Sequence, residues 1–182
     1  MPNGISTIRD FYKVAQDRDF ARKNQLRVLS INSGAGLTVD FTTDDLVYVK
    51  AAKLPSRKIT TSAATYMGLK FNIPGNVEYE GSEAYEVTFF ADQKFELWDK
   101  FQEWTRQVFD DESSTGNYFT PKASATITLL VLDNELNPVK KINLIGTVCL
   151  NVGELEYTID DAGTIQEFPV TFSYHFWTDE NL

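Results

Sequence analysis

The sequence predicts a mainly β protein with one flanking α-helix and a short N-terminal helix. Three observations carry that prediction. Apolar and polar residues alternate over short runs, as in Leu69/Phe71/Ile73 and Tyr85/Val87/Phe89, the period-two pattern of half-buried strands. One long segment, Asp92 to Val108, instead repeats its apolar residues at helical spacing. Clusters of Gly, Pro, Asn and Asp separate the runs, as turns do.

Taken in order, Ile8, Phe11, Tyr12 and Ala15 fall at i, i+3, i+4 and i+7 after a candidate Ser6 cap, with Arg9, Asp10 and Lys13 on the opposite face. Strands are expected near 25–32 and 36–50, turned by Gly34-Ala35-Gly36. Ala51 to Thr65 is rich in small and hydroxyl residues with few core anchors, and reads as a long exposed loop or extended hairpin. Pro74-Gly75-Asn76 is expected to turn between the next two strands. In the long helix Phe95, Trp98, Phe101, Trp104 and Val108 form one stripe, Asp92 is the candidate cap, and Glu96 and Lys100 are spaced to pair. Ala123 to Leu132 and Val139 to Leu150 predict a long hairpin turned at 133–138. In the last hairpin Leu155, Tyr157 and Ile159 alternate with Glu154, Glu156 and Thr158, and Asp160-Asp161-Ala162-Gly163 leads into Phe168, Val170, Phe172, Tyr174 and Phe176. Pro169 places that last run at an edge or a bulge, because proline gives no ladder hydrogen bond.

Composition narrows the function. At 182 residues, of which 42% are hydrophobic and 13% aromatic, the chain suits one domain spanning 1–182 and lies far from disorder. No apolar run nears the ~20 residues of a membrane span, and the start lacks a signal-peptide pattern, so no membrane anchor and a soluble cytoplasmic product are expected. A net charge of -9 disfavours tight nucleic-acid binding, which depends on neutralising phosphates. The lone Cys149, between Val148 and Leu150, reads as a small buried side chain.

The chain carries no signature of catalysis. His175 has no second imidazole with which to share a metal or relay a proton. The nucleophile-elbow and phosphate-loop motifs are absent, and Gly34-x-Gly36 lacks the third glycine and following helix of a dinucleotide site. Asp110 to Gly116 lacks the alternating ligands of a calcium loop. Paired carboxylates stay open, since spacing does not show which of 26 acids converge. The expectation is a non-enzyme without cofactor or metal.

Several stretches, in order, resemble the tail tube proteins of T4-like contractile bacteriophages. They are Asp19-Phe20-Ala21-Arg22 with Asn24, Ala52-Lys53-Leu54-Pro55, the helix around Phe95, Phe101 and Trp104, and Gly146 with Asn151-Val152-Gly153-Glu154-Leu155. Ile165-Gln166, Phe168, Val170-Thr171 and Trp177 complete the series. The resemblance covers roughly residues 10–177; the N-terminal extension, Gly34-Ala35-Gly36 and the 110–116 loop depart from the family pattern.

The resemblance implies a β-sandwich or barrel whose sheets join between subunits into a ring-shaped inner β-barrel. It implies homohexameric rings stacked into a tail tube, the conduit for DNA ejection, inside a sheath. The implied partners are further copies of the chain, the tail sheath protein, baseplate tube-initiating proteins and a tape measure protein in the lumen. DNA would pass without specific binding, and the product would sit in the virion tail after assembly in the host cytoplasm. On this reading Lys53, Leu54, Arg57 and Lys58 are candidates for ring stacking, and Glu154, Glu156 and Glu167 for an acidic lumen. The alternatives are the tube of a related contractile injection system, a β-sandwich binding module using Tyr66, Tyr118 or Trp177, and a carboxylate-based hydrolase.

Overall fold

The computed structural model describes residues 7–160 and 163–182. The candidate Ser6 cap and the Asp161-Ala162 part of the last turn lie outside them. In chain order the elements are α1 (Ile8–Arg18), β1 (Leu26–Asn32), α2 (Thr43–Val47), β2 (Val49–Ala51), β3 (Lys58–Tyr66), β4 (Leu69–Glu78), β5 (Tyr85–Phe90) and α3 (Glu96–Val108). There follow β6 (Phe109–Asp110), β7 (Thr115–Gly116), α4 (Phe119–Ser124), β8 (Thr126–Leu132), β9 (Pro138–Ile145), β10 (Val148–Val152), β11 (Glu167–Ser173) and β12 (Phe176–Asn181).

Two four-stranded antiparallel sheets carry the fold, ordered β1-β8-β9-β12 and β10-β11-β5-β2. Alternation decides what each buries: Ile127, Leu129, Ile142 and Leu144 come from the first, and Val87, Phe89, Phe168, Val170 and Phe172 from the second. All of them join one hydrophobic cluster. Helix α3 adds Leu97, Phe101 and Trp104, with Phe101 lying 4.8 Å from Phe41 and 4.9 Å from Phe89 between ring centres. The helix begins at Glu96 rather than at Asp92, with Phe95 at the N-cap in the left-handed region; the Asp92 carboxylate, one turn earlier, still accepts from the backbone N–H of Glu96 at 3.0 Å and of Leu97 at 3.2 Å.

The chain changes sheets at Gly146, between β9 and β10. Its φ of +72° belongs to the left-handed region that favours glycine, and a Cβ there would lie 2.4 Å from Nδ1 of His175. The lone histidine is therefore an exposed residue at the corner where β11 gives way to β12, its backbone N–H donating to Ile145.

Several sequence expectations are corrected. Residues 36–50 are not one strand: a bridge at Asp40 is followed by α2, because Thr42 and Asp45 form a reciprocal capping box. Pro74-Gly75-Asn76 lies within β4, and the hairpin turns at Met67-Gly68, both at positive φ. The expected hairpin from 123 to 150 is β8 paired with β9, and its outer ends become α4 and β10. Leu155 to Ile159 forms no strand, and Phe176 opens β12 in the other sheet.

Two further corrections concern side chains. Lys100 pairs with Asp45 at 2.6 Å rather than with Glu96, which lies 3.6 Å from Lys94. Pro169 sits in the interior strand β11, opposite Thr88 of β5. It is tolerated there because the ladder with β10 ends at Val152 and Val170, so that Pro169 lies at a local edge on that side, its carbonyl accepting from the N–H of Gly153 at 2.7 Å.

Candidate assembly surfaces

A hollow of about 190 Å³ beside the link from β2 to β3 is lined by residues that include Lys53, Glu80, Tyr85, Glu86 and Tyr174. A cleft of about 390 Å³ opens between α3, α4 and β10, lined by residues that include Val108, Phe109, Tyr118, Lys122, Cys149 and Leu150. Its polar groups do not converge: Lys122 Nζ donates to Ser173 Oγ at 3.0 Å, and no carboxylate lines it. Burial pushes the Cys149 thiol up to about 12, so it stays neutral at ordinary pH and is a poor nucleophile. No group of three His, Cys, Asp or Glu able to hold a metal occurs among the described residues. No helix among them is long and apolar enough to cross a membrane.

The informative features lie outside the core. Strands β3 and β4 pair only with each other, forming a ribbon that springs from between β2 and β5. Toward the tip, cross-strand pairing puts Tyr66/Leu69, Ala64/Phe71 and Ser62/Ile73 on one face, and Thr65/Lys70 and Ala63/Asn72 on the other; past the bulge in β4, Lys58/Glu78 shares the first face and Ile59/Val77 the second. Near the tip one face is thus mostly apolar and the other polar, yet every β4 residue is exposed.

The predicted stacking residues Lys53, Leu54 and Arg57 lie in the link from β2 to β3, and Lys58 opens β3; all four are exposed. The link is tethered at its ends, since Tyr85 Oη donates to the carbonyl of Lys53 and Trp177 Nε1 donates to that of Ser56 at 3.1 Å. Trp177 therefore serves the fold here.

Glu154 and Glu156 are exposed on the segment after β10, and Glu167 on β11 forms an ion pair with Lys50. Sequence reading missed Glu86, which stands on the outward face of the second sheet opposite Thr171 and is exposed. The signal was available in the alternation Tyr85/Val87/Phe89, which sends Glu86 and Thr88 outward.

Each sheet also ends in unshared edges, β1 and β12 in one and β10 and β2 in the other. Open edges and a projecting amphipathic ribbon describe an assembly subunit. The profile of the phage tail tube protein family matches residues 19–180, and the chain belongs to that family. It is accordingly a structural tube protein of a tail and not an enzyme.

Solved structures agree on the fold. A chain of the anti-feeding prophage cap, the tube-terminating cap, aligns with a TM-score of 0.60 at 10% identity, over 90% of this chain and 92% of that one. A chain of the sheath-tube complex of an extracellular contractile injection system aligns at 0.55 and 11% identity, over 98% and 100%. A chain of that system's sheath/tube terminator aligns at 0.57 and 11%, over 88% and 96%. No curated protein sequence matches the chain.

Proposed function

We propose that this chain, as one tail tube domain over residues 1–182, forms stacked homohexameric rings of a contractile tail. The rings would make the conduit through which DNA is ejected. The observation that carries the proposal is the family match over 19–180, on a fold shared with chains of contractile injection systems. A head-to-tail contact that closes makes a ring, and ring neighbours let open sheet edges continue into one another. The partners in this reading are the tail sheath protein, baseplate tube-initiating proteins and a tape measure protein in the lumen, and assembly takes place in the host cytoplasm.

Within that reading the exposed link and start of β3, with Lys53, Leu54, Arg57 and Lys58, contact the next ring. The chain's net charge of -9 supports this, since a basic loop finds an acidic neighbour in any second copy. Glu154 and Glu156 contribute to a negative lumen, where like charge denies DNA the counterion release that creates grip. Glu167 contributes less, because Lys50 neutralises it locally. The tube of a related contractile injection system is the second reading, favoured by the cap and sheath-tube likenesses.

The test is negative-stain electron microscopy of concentrated protein with and without baseplates. Six-fold rings or hollow tubes are expected, and the double variant Arg57→Glu/Lys58→Glu should keep its circular dichroism but stack poorly. A chain that stays monomeric even with baseplates overturns the tube reading.

A further inference from the structure

Helix α1 lies outside the family match, which begins at Asp19, and it buries none of its residues. At about 100° per residue, Ile8, Phe11, Tyr12 and Ala15 share one arc flanked by Arg9 and Arg18. The Thr7–Asp10 capping box defines where this helix starts, so its apolar stripe is presented on a regular element. Its ring contact outside the helix is Phe11 stacked on Phe20, 6.0 Å between centres, and 11 residues with so little packing make a marginal helix in water. The same holds for the ribbon, since a two-stranded hairpin with nothing behind it is marginal too. Neither α1 nor any residue of β3 or β4 joins the hydrophobic cluster.

The two faces suit each other. An 11-residue helix is ~16 Å long, and Leu69 to Ile73 spans ~14 Å of strand, so the stripe covers the apolar face from Tyr66/Leu69 to Ser62/Ile73. Helix on sheet is an ordinary two-layer solution for two amphipathic elements. Charge agrees as well. Residues 7–24 hold Arg9, Lys13, Arg18, Arg22 and Lys23 against Asp10, Asp17 and Asp19, a surplus of two positive charges in a chain of net charge -9. The root of the ribbon offers Glu80 and Glu83, exposed and without an ion pair among the described residues.

We propose that α1 of one copy docks its Ile8/Phe11/Tyr12 stripe on the apolar face of the β3–β4 ribbon of a neighbouring copy. The inference rests on the tube reading, which supplies the second copy, and names a clamp between copies that the family-matched region does not contain. Helix and ribbon are distinct patches, so the contact is heterologous and propagates or closes around a ring.

The test mixes two full-length variants, Phe11→Cys and Phe71→Cys, with a short bis-maleimide; the native Cys149 is buried. Samples mixed in equal amounts should give a covalent dimer in close to the one half of the chains that random mixing allows, and Lys13→Cys, on the opposite helix face, should reduce that yield at least five-fold when it replaces Phe11→Cys. The doubly substituted chain at high dilution should not cross-link within itself. Rings or tubes in the microscope without the 11–71 link overturn the clamp and leave the tube reading standing. Linked dimers that never close into rings keep the clamp and overturn the tube reading. Linking only within the diluted double variant shows that α1 folds onto its own ribbon and overturns the proposal.

Discussion

Strands β4 and β5 carry the same message in sequence and have opposite fates in the fold. Leu69, Phe71 and Ile73 alternate as regularly as Tyr85, Val87 and Phe89, yet the first three are 64%, 49% and 52% exposed and the second three 5%, 0% and 0%. The difference lies in what stands behind each strand. Strand β5 has β11 and β2 on either side and α3 over its inner face, whereas β4 has only β3. Alternation therefore reports that a strand has a face to bury, and says nothing about which molecule buries it.

The largest effect that separates the two regions is expected at Phe101. It is fully buried, with its ring centre 6.0 Å from that of Phe172 and closer still to Phe41 and Phe89. Phe101→Ala should cost about 3–5 kcal/mol through lost burial and the cavity left between helix and sheet, seen as a lower denaturant midpoint. A loss below 1 kcal/mol would show that α3 does not hold the sandwich together.

The same contrast explains what was legible beforehand. The long helix and the acceptor that Asp92 offers its first turn could be read because stripe and acceptor are local signals, although the helix starts at Glu96. Strands β1, β5, β8, β9 and β11 could be located because their burial phase is written in alternation, whereas β12 was not foreseen and the pairing across sheets could not be read. The change of sheet at Gly146 is a backbone event whose cause, the imidazole of His175 packed against a left-handed glycine, lies 29 positions away, from 146 to 175. The short helix α2 was hidden because Thr42 and Asp45, a sound capping box, sit among β-favouring residues. The ion pair of Lys100 was assigned to the wrong acid because Asp45 reaches it only through tertiary packing. Of the surface sites, the basic link could be read as exposed from its lack of core anchors. Glu154 and Glu156 were expected next to a strand over 155–159 that does not form, so their exposure could be read but not the path of the segment that carries them.

An intermediate effect is expected where α2 meets α3. Burial raises the Asp45 carboxyl, but the Lys100 ammonium and the Thr42 hydroxyl and N–H outweigh it and hold it below its ordinary value. A carboxylate depressed in the folded state adds stability above its unfolded pKa of 3.8 and loses it as pH falls through the folded value. Lys100→Met should thus destabilise the protein by about 1 kcal/mol at pH 7, allowing for partial exposure of the pair. The gap between variant and parent should narrow below pH 4. A gap that stays constant down to pH 2 would assign the loss to packing of the lysine stem.

The smallest effect on folding, and the most telling, is expected on the ribbon. In the isolated subunit the Phe71 and Ile73 side chains bury little, so Phe71→Ser/Ile73→Ser should move the denaturant midpoint by no more than about 0.5 kcal/mol. The same change removes the apolar face that a neighbouring subunit would cover, so assembly monitored by sedimentation should fall sharply at concentrations where the parent forms rings or tubes. A double variant that unfolds early would mean that the ribbon already packs within its own subunit. One that folds and assembles like the parent would mean that its apolar face is left uncovered in the tube. Stability and assembly are thus predicted to separate cleanly at β4 and to fall together at Phe101, because in β5 and α3 the burial is completed by the chain itself and in β4, on the proposed reading, by another copy.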